Sequence, residues 1–513
     1  MAFLLWITLV GGGSAAAAED EDLKQTTDPA WKIIPRISLT ETFTDNANLN
    51  SGPSGRPHAD QITQISPGIR IDGKTARLQV FADYSLSAID YAQDSRGSQM
   101  QNALNSLGTF EAIEKWGYLD FSGTVAQTSI SALGTPSTTN ASANGNSTET
   151  ATFKLSPYVK GRFGEFADYR LRYERMTTRS KSSLANDTDS DIWDGTLQGT
   201  TGLAALGWNL NLNRQQIERT IGRSNEAERL NALLSWLVQP QFKLKASAGR
   251  ERNDYATLDM KSYSTHGVGF EWAPTERTNL SAFKERRFFG DGHQISFTHR
   301  TPLSSWRYTD SRDVNVNAQG GQTSLGTWFD FALATVPATI TDPVERARLA
   351  QRLLDMIGKQ AQDIIPANFL ASQSTLMRRR ELSFVITGAT NTITLLASRS
   401  HQQTLINQTI LELADTFSSS NVIDQKGISA TWSHRLTPLS SLSVAATKTN
   451  TSGKSGTTGT PISTQQRSLN VSYSTRLGAK TNASLGLRRT LFDSETASGY
   501  TENALTGALT AQF

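Results

Sequence analysis

Between Ala76 and Ala88 the chain alternates without a break. Ala76, Leu78, Val80, Ala82, Tyr84, Leu86 and Ala88 form one set, and Arg77, Gln79, Phe81, Asp83, Ser85 and Ser87 form the other. A period of two places the sets on opposite faces of a β-strand, one apolar and one polar. The pattern returns in Ala167, Tyr169, Leu171 and Tyr173 against Asp168, Arg170, Arg172 and Glu174, and in Leu119, Phe121, Gly123 and Val125. It returns again in Phe242, Leu244 and Ala246, in Leu442, Val444 and Ala446, in Leu469, Val471 and Tyr473, and in Leu485 and Leu487. The chain ends on it: Leu505, Gly507, Leu509, Ala511 and Phe513 face away from Thr506, Ala508, Thr510 and Gln512. Chain ends normally fray, so an apolar-faced strand reaching a final aromatic needs something that covers that face to the last residue.

The connections alternate too. Short ones lie at Asp72–Lys74, Phe163–Ala167, Gln239–Pro240, Ala273–Thr278, Thr301–Ser304, Gly388–Asn391, Leu436–Ser441 and Leu477–Asn482. Long polar ones lie at Asn46–Asp60, Ser129–Thr150, Thr178–Ser190, Val314–Thr375, His401–Asp424 and Asn450–Gln465, rich in Gly, Pro, Asn and Asp. Antiparallel hairpins with one tight and one open end are the layout of an all-β transmembrane outer-membrane barrel, here of about 22 strands between Ile33 and Phe513. Lipid would then cover the terminal strand, with Leu505, Leu509 and Ala511 outward and Phe513 in the interfacial girdle, the kind of ending that resembles the signal read by the outer-membrane assembly machinery. The competing fold is a soluble sandwich, solenoid or fibre domain. A soluble chain of this length would split into several cores joined by linkers, and no composition break marks such linkers.

The polar face defines a wet lumen wall. On these strand assignments Arg36, Arg77, Asp83, Lys154, Lys160, Arg170, Arg172, Lys243 and Lys245 point inward among Ser, Thr, Asn and Gln. Barrels of 22 strands that transport carry a plugged lumen. Here the first strand starts about 15 residues after the expected cleavage site, so the lumen is either open or narrowed by loops such as Val314–Thr375.

One segment breaks the rhythm. "DPVERARLAQRLLDMIG" predicts a helix over 343–357 inside the 314–375 insert, with Asp342 as N-cap, Pro343 at the first position, Glu345 as the capping-box acid and Gly358 as the stop. Ala347, Ala350, Leu353, Leu354 and Ile357 make an apolar stripe. The stripe fits equally a constriction folded into the pore mouth and an external helix packed on neighbouring loops.

At the other end, the apolar run from Phe3 to Val10 and the small residues up to Ala18 read as a signal peptide over 1–18, followed by a short periplasmic segment over 19–32 and the barrel over 33–513. No Lys or Arg precedes the run, which leaves the true start codon open. The chain has no cysteine, so neither disulfides nor thiolate metal sites hold it. Lys+Arg of 50 against Asp+Glu of 47 gives a net charge of +3 and no field that favours nucleic acid.

Several stretches carry a family resemblance. "WKIIPRISLTETFTDNANL", "GVGFEWAPTERTNLSAFKERRFFG", "ISFTHRTPLSSWRYTDSRDV", the "DPVERARLAQ" helix and the "LTGALTAQF" ending resemble an uncharacterised family of porin-like outer-membrane proteins associated with the PEP-CTERM/exosortase sorting system. The resemblance spans essentially the whole mature chain and brings no catalytic residues with it. It implies a Gram-negative outer membrane and an exopolysaccharide setting. The expected function is passage, or assisted export, of polar saccharide material. The alternative is a non-conducting barrel whose external loops anchor surface polysaccharide or proteins. Expected partners are outer-membrane lipid and lipopolysaccharide, the assembly machinery, and exopolysaccharide or its export proteins. In "RRFFG", Arg286 and Arg287 with Phe288 and Phe289 fit headgroup anchoring and pairing with lipid phosphates.

No motif calls for an enzyme, a metal or a cofactor. His58, His293 and His401 fall in or near external loops and His266, His299 and His434 on strands, without a recognisable Ser and Asp beside them. "NDTDSDIWDG" places Asp187, Asp189, Asp191 and Asp194 in what reads as a solvated acidic loop, with Ile192 where an EF-hand needs Gly and Gln198 where it needs Glu. "SGKSGT" reads as a flexible loop because the first P-loop glycine would fall at Lys448.

Overall fold

The alternating segments pair into a single sheet. The computed structural model describes residues 30–49, 57–93, 97–142, 144–201, 205–316, 342–357, 369–406, 420–455, 461–495 and 499–513, which form 22 strands and one helix. The first eight strands are β1 (Trp31–Thr44), β2 (Asp60–Lys74), β3 (Leu78–Tyr91), β4 (Gln99–Ile113), β5 (Gly117–Ser129), β6 (Ser147–Phe163), β7 (Ala167–Ser180) and β8 (Thr188–Thr200). Then come β9 (Leu206–Arg219), β10 (Asn225–Gln239), β11 (Phe242–Asn253), β12 (Lys261–Thr275), β13 (Thr278–Arg287), β14 (Gly290–Arg300) and β15 (Ser304–Asn315). Helix α1 (Pro343–Ile357) precedes β16 (Thr375–Thr387), β17 (Asn391–Thr404), β18 (Ser420–Arg435), β19 (Ser440–Ser455), β20 (Pro461–Arg476), β21 (Thr481–Ser494) and β22 (Tyr500–Gln512).

Every strand pairs antiparallel with its neighbours in the chain, and β22 pairs with β1, so no edge is left. At that seam Leu39 faces Leu509, Phe43 faces Leu505 and Ile37 faces Ala511. The Phe513 N–H donates to Pro35 O at 2.9 Å, and its ring stays exposed at the same rim as Trp31. The seam thus answers what covers the final strand: one face meets the membrane and both edges are paired.

Outside, each strand shows its apolar set. Ile33, Leu39, Leu155, Leu171, Leu212, Leu234, Val268, Leu395, Ile428 and Leu487 are all exposed, and cross-strand pairs such as Leu212 with Leu230 extend the band around the barrel. Trp116, Trp236, Trp272, Trp306 and Trp432 mark the end with short turns. An exposed apolar band bordered by an aromatic rim, on a closed barrel, is a surface made for hydrocarbon. The protein is an outer-membrane β-barrel, with the long connections at the external end.

The strands outrun the membrane, and this corrects several loop boundaries. A bilayer needs about 9–11 tilted residues per strand, whereas β6 has 17 and β7 has 14. Past the lipid both faces are polar, alternation fades, and the ladder continues unseen by pattern. Asp189, Asp191 and Asp194, read as loop, therefore sit on β8, where Asp189 faces Thr177 and Asp191 faces Arg175. Ser452 to Ser455 belong to β19, β6 begins at Ser147, and His293 and His401 lie on β14 and β17. At the other end Asp72–Lys74 remain in the ladder with β1 and β3, and residues 75–77 make the turn, closed by Thr75 N–H donating to Leu78 O at 2.8 Å. The first strand starts at Trp31, two residues ahead of Ile33. The segment 1–18 and most of 19–32 lie outside the described residues, as does Gly358.

Close approach explains two glycines. Gly267 and Gly269 on β12 lie beneath the Phe283 ring, and a Cβ on Gly269 would stand 2.4 Å from Ala282 O and 2.5 Å from Phe283 Cδ2. Gly269→Ala is therefore expected to lower stability by about 1–3 kcal/mol, seen as a lower urea midpoint of the refolded barrel. An unchanged midpoint would mean that the backbone yields there.

Candidate functional site

Alternation that sends the apolar set to lipid sends the polar set into the lumen. On β9 this makes an inward column of Asn209, Asn211 and Asn213 between outward Trp208, Leu210 and Leu212. The most organised stretch of wall is on β5–β8. Tyr118 faces Tyr158, Tyr158 faces Arg172, and Arg172 faces Asp194, one rung running across four strands. The two tyrosine rings stack at 5.1 Å with 14° between their planes. Lys160 Nζ sits 4.3 Å above Tyr118 and the Arg172 guanidinium 4.6 Å above Tyr158. Asp120 holds Arg172 at 2.6 Å, and Glu174 lies 3.7 Å from Lys154 Nζ. Lys160 faces Arg170 directly across the ladder, and both are exposed to the lumen. A flat π surface edged by cations matches a sugar ring carrying an anionic group.

Other inward groups cluster elsewhere. Arg36 and Arg70 converge on Asp83, which is 5% exposed. Lys243 and Lys245 share Glu271, Lys243 at 3.6 Å. Eight of the nine residues expected on the lumen wall thus have inward register. Arg77 does not: β3 begins at Leu78, paired with Phe110, and Arg77 lies exposed in the turn. The wall is brought together only piecewise, with the β5–β7 cations on one side and the pair on β11 well away from them.

The lumen is not empty. Helix α1 lies inside the barrel, against β3 and β4, at the periplasmic end. Asp342 Oδ1 accepts from Val344 N–H at 2.9 Å as the N-cap, and the Gln79 amide donates to Asp342 Oδ2 at 2.6 Å. Arg348 pairs with inward Asp72 at 3.0 Å and donates to Gly73 O at 3.1 Å. Val344, Ala347 and Ala350 are fully buried. Glu345 pairs with Arg348 at 3.5 Å, one helical turn away. Of the two placements the pattern left open, the inside one holds. The side chains of Leu353, Leu354 and Ile357 lie outside the described residues, as does most of 314–375.

A second closure spans the external mouth. Leu370 N–H donates to Ser129 O at 3.0 Å, and Phe369 and Ala371 pack with Leu133 and Ile423, joining β5, β18 and the β5–β6 connection over the opening. Arg219, at the end of β9, donates to Val316 O and Ser374 Oγ, both at 3.3 Å, and so ties down both ends of the insert. The β5–β6 connection also reaches β22, five strands away around the ring: the Tyr500 hydroxyl donates to Pro136 O at 3.0 Å and Thr138 to Glu502 at 2.8 Å. Glu502, 1% exposed, also takes Arg488 at 2.8 Å. Beside Arg219, in the β11–β12 connection, burial and then Asp254 push the Tyr255 phenol well above its usual range.

Five histidines, His266, His293, His299, His401 and His434, carry outward register and face away from the lumen. Asp187, Asp189 and Asp191 are taken up by Arg175, Arg179 and Tyr173. Sequence reasoning missed Tyr118, Tyr158 and Asp120 as wall residues, although the apolar set Leu119, Phe121, Gly123 and Val125 already implied that their neighbours point inward. It missed Arg219, Arg348 and Glu502 because nothing local marks a long-range tie.

No family model matches the sequence, and no curated protein does. Solved structures match by shape. The FrpB iron transporter from Neisseria meningitidis, F3-3 variant, aligns at a TM-score of 0.51 with 11% identity over 97% of this chain and 83% of that one. Its F5-1 variant aligns at 0.50 with 9% identity over 94% and 82%. At such identities the likeness concerns the fold, a large outer-membrane barrel.

Proposed function

We propose that the protein is a porin-like outer-membrane conduit for anionic saccharide material, held closed at rest by its own insert, in the exopolysaccharide and PEP-CTERM setting that the sequence resemblance implies. The observation that carries this is the β5–β7 wall: stacked Tyr118 and Tyr158, Lys160 and Arg172 over their faces, and Arg170 opposite Lys160. Sugar rings stack on tyrosine and carboxylates pair with Arg and Lys. The shape match to FrpB, an iron transporter, supports transport across the outer membrane in general and says nothing about this cargo.

A second reading has its own support. With α1 below and the Phe369, Leu133 and Ile423 cluster above, a permanently shut barrel that anchors surface polysaccharide through its loops has the same geometry.

Binding of a short oligoglucuronate to the refolded protein, followed by calorimetry, tests the first reading. Tyr158→Ala and Arg170→Gln are each expected to weaken it about tenfold, and Arg170→Gln should leave a neutral oligosaccharide of equal length unaffected. Equal binding by wild type and both variants removes the lumen wall as the site.

A further inference from the structure

We infer that the outward face of β15–β18 holds a phosphorylated lipid headgroup of the outer leaflet. The external ends of these strands carry two rungs of cations that face away from the lumen. In one, Arg380 stands directly opposite Arg399, and Arg399 opposite Lys426. In the next, Arg312 stands opposite Arg378. Like charges in direct cross-strand register repel and destabilise the sheet unless an anion sits between them. One buried carboxylate, Asp310, serves Arg378 at 2.9 Å and Arg380 at 3.2 Å. Nearby Asp424 is engaged by His401 at 2.9 Å. Arg399 and Lys426 are exposed.

Position identifies the missing anion. One step toward the membrane on the same faces stand Leu382, Ala397 and Ile428, in register with one another, so the cations begin where the apolar band stops. That is headgroup level. On β7 and β9 the outward cations are neutralised within the protein: Arg175 and Arg179 pair with Asp191 and Asp189 at 3.0 and 2.7 Å, and Arg214 pairs with Glu226 at 2.7 Å. On β16–β18 the three cations of one rung, Arg380, Arg399 and Lys426, have only Asp310 beside them. Guanidinium groups in a row beside hydrocarbon suit a phosphate carried on acyl chains, and a soluble anion would not use the apolar step below.

The test uses full-length refolded protein incubated with bisphosphorylated lipid A in neutral detergent, with lipid retained after gel filtration measured by mass spectrometry. The variant R380Q/R399Q/K426Q is expected to retain about tenfold less lipid A. R175Q/R179Q, on the neutralised flank, should retain as much as wild type. In detergent without lipid A the double variant R399Q/K426Q, which leaves the Arg378 and Arg380 pairs with Asp310 in place, should unfold at the same or higher urea concentration, because it loses only repulsion. Should the triple variant not fold, R399E alone carries the comparison. Wild-type retention by the cluster variants, equal loss in R175Q/R179Q, or equal retention of dephosphorylated lipid overturns the assignment.

Discussion

Replacing residues 317–371 with a short Gly-Ser linker, which removes both α1 and the Phe369–Ala371 part of the roof, is expected to raise single-channel conductance in a planar bilayer about tenfold or more, because a ring of 22 strands is wide enough to need an internal plug. The residues removed include α1, whose Val344, Ala347 and Ala350 are buried inside the lumen. The barrel should survive the cut, since the insert belongs to none of the rungs that close it: β15 and β16 pair directly from Ser304 with Ile386 to Asn315 with Thr375. A finer version is Arg348→Ala. It removes the tie to Asp72 and Gly73 O, a charge-assisted contact of about 1.5–3 kcal/mol, and should make openings about tenfold more frequent without changing the size of each. If the shortened barrel is as silent as the intact one, the conduit reading fails and the anchoring reading stands.

The second large effect concerns stability. Asp83→Ala should destabilise the barrel by about 3 kcal/mol, because removing one member of a buried ion group leaves uncompensated charge. Arg36 and Arg70 both aim at this carboxylate, with side chains 17% and 12% exposed, and together they cross-link β1, β2 and β3 beside the closing seam. Urea unfolding in lipid vesicles, followed by tryptophan fluorescence, reads the loss. Adding Arg36→Met to Asp83→Ala should recover part of it, since an apolar stem replaces a stranded cation. Were Asp83→Ala as stable as wild type, lumen water would be solvating both arginines and the triad would count for little.

The amino-acid order alone determined the class of fold. Period-two alternation over strands such as β3, the short and long connections in turn, and the terminal Leu505, Leu509, Ala511 and Phe513 each follow from one constraint: a chain in lipid must pair every backbone group and present apolar side chains on one face only. Because that constraint acts residue by residue, its trace is local and legible, and so were the helix at 343–357 and the inward parity of Arg36, Asp83, Lys154, Lys160, Arg170, Arg172, Lys243 and Lys245. It lapses where the strands leave the membrane, which is why the acidic stretch on β8 looked like a loop, and it lapses in the turn that takes Arg77.

Only the tertiary structure decided what the parity left open. Whether α1 lies inside or outside rests on Arg348 meeting Asp72, 276 residues away in sequence. The roof likewise rests on Phe369 meeting Leu133 and Ile423. The cation rungs need the register that sets Arg380, Arg399 and Lys426 side by side. Alternation tells which face a side chain occupies, but only strand register and loop closure tell what it faces, and function here lies in those juxtapositions.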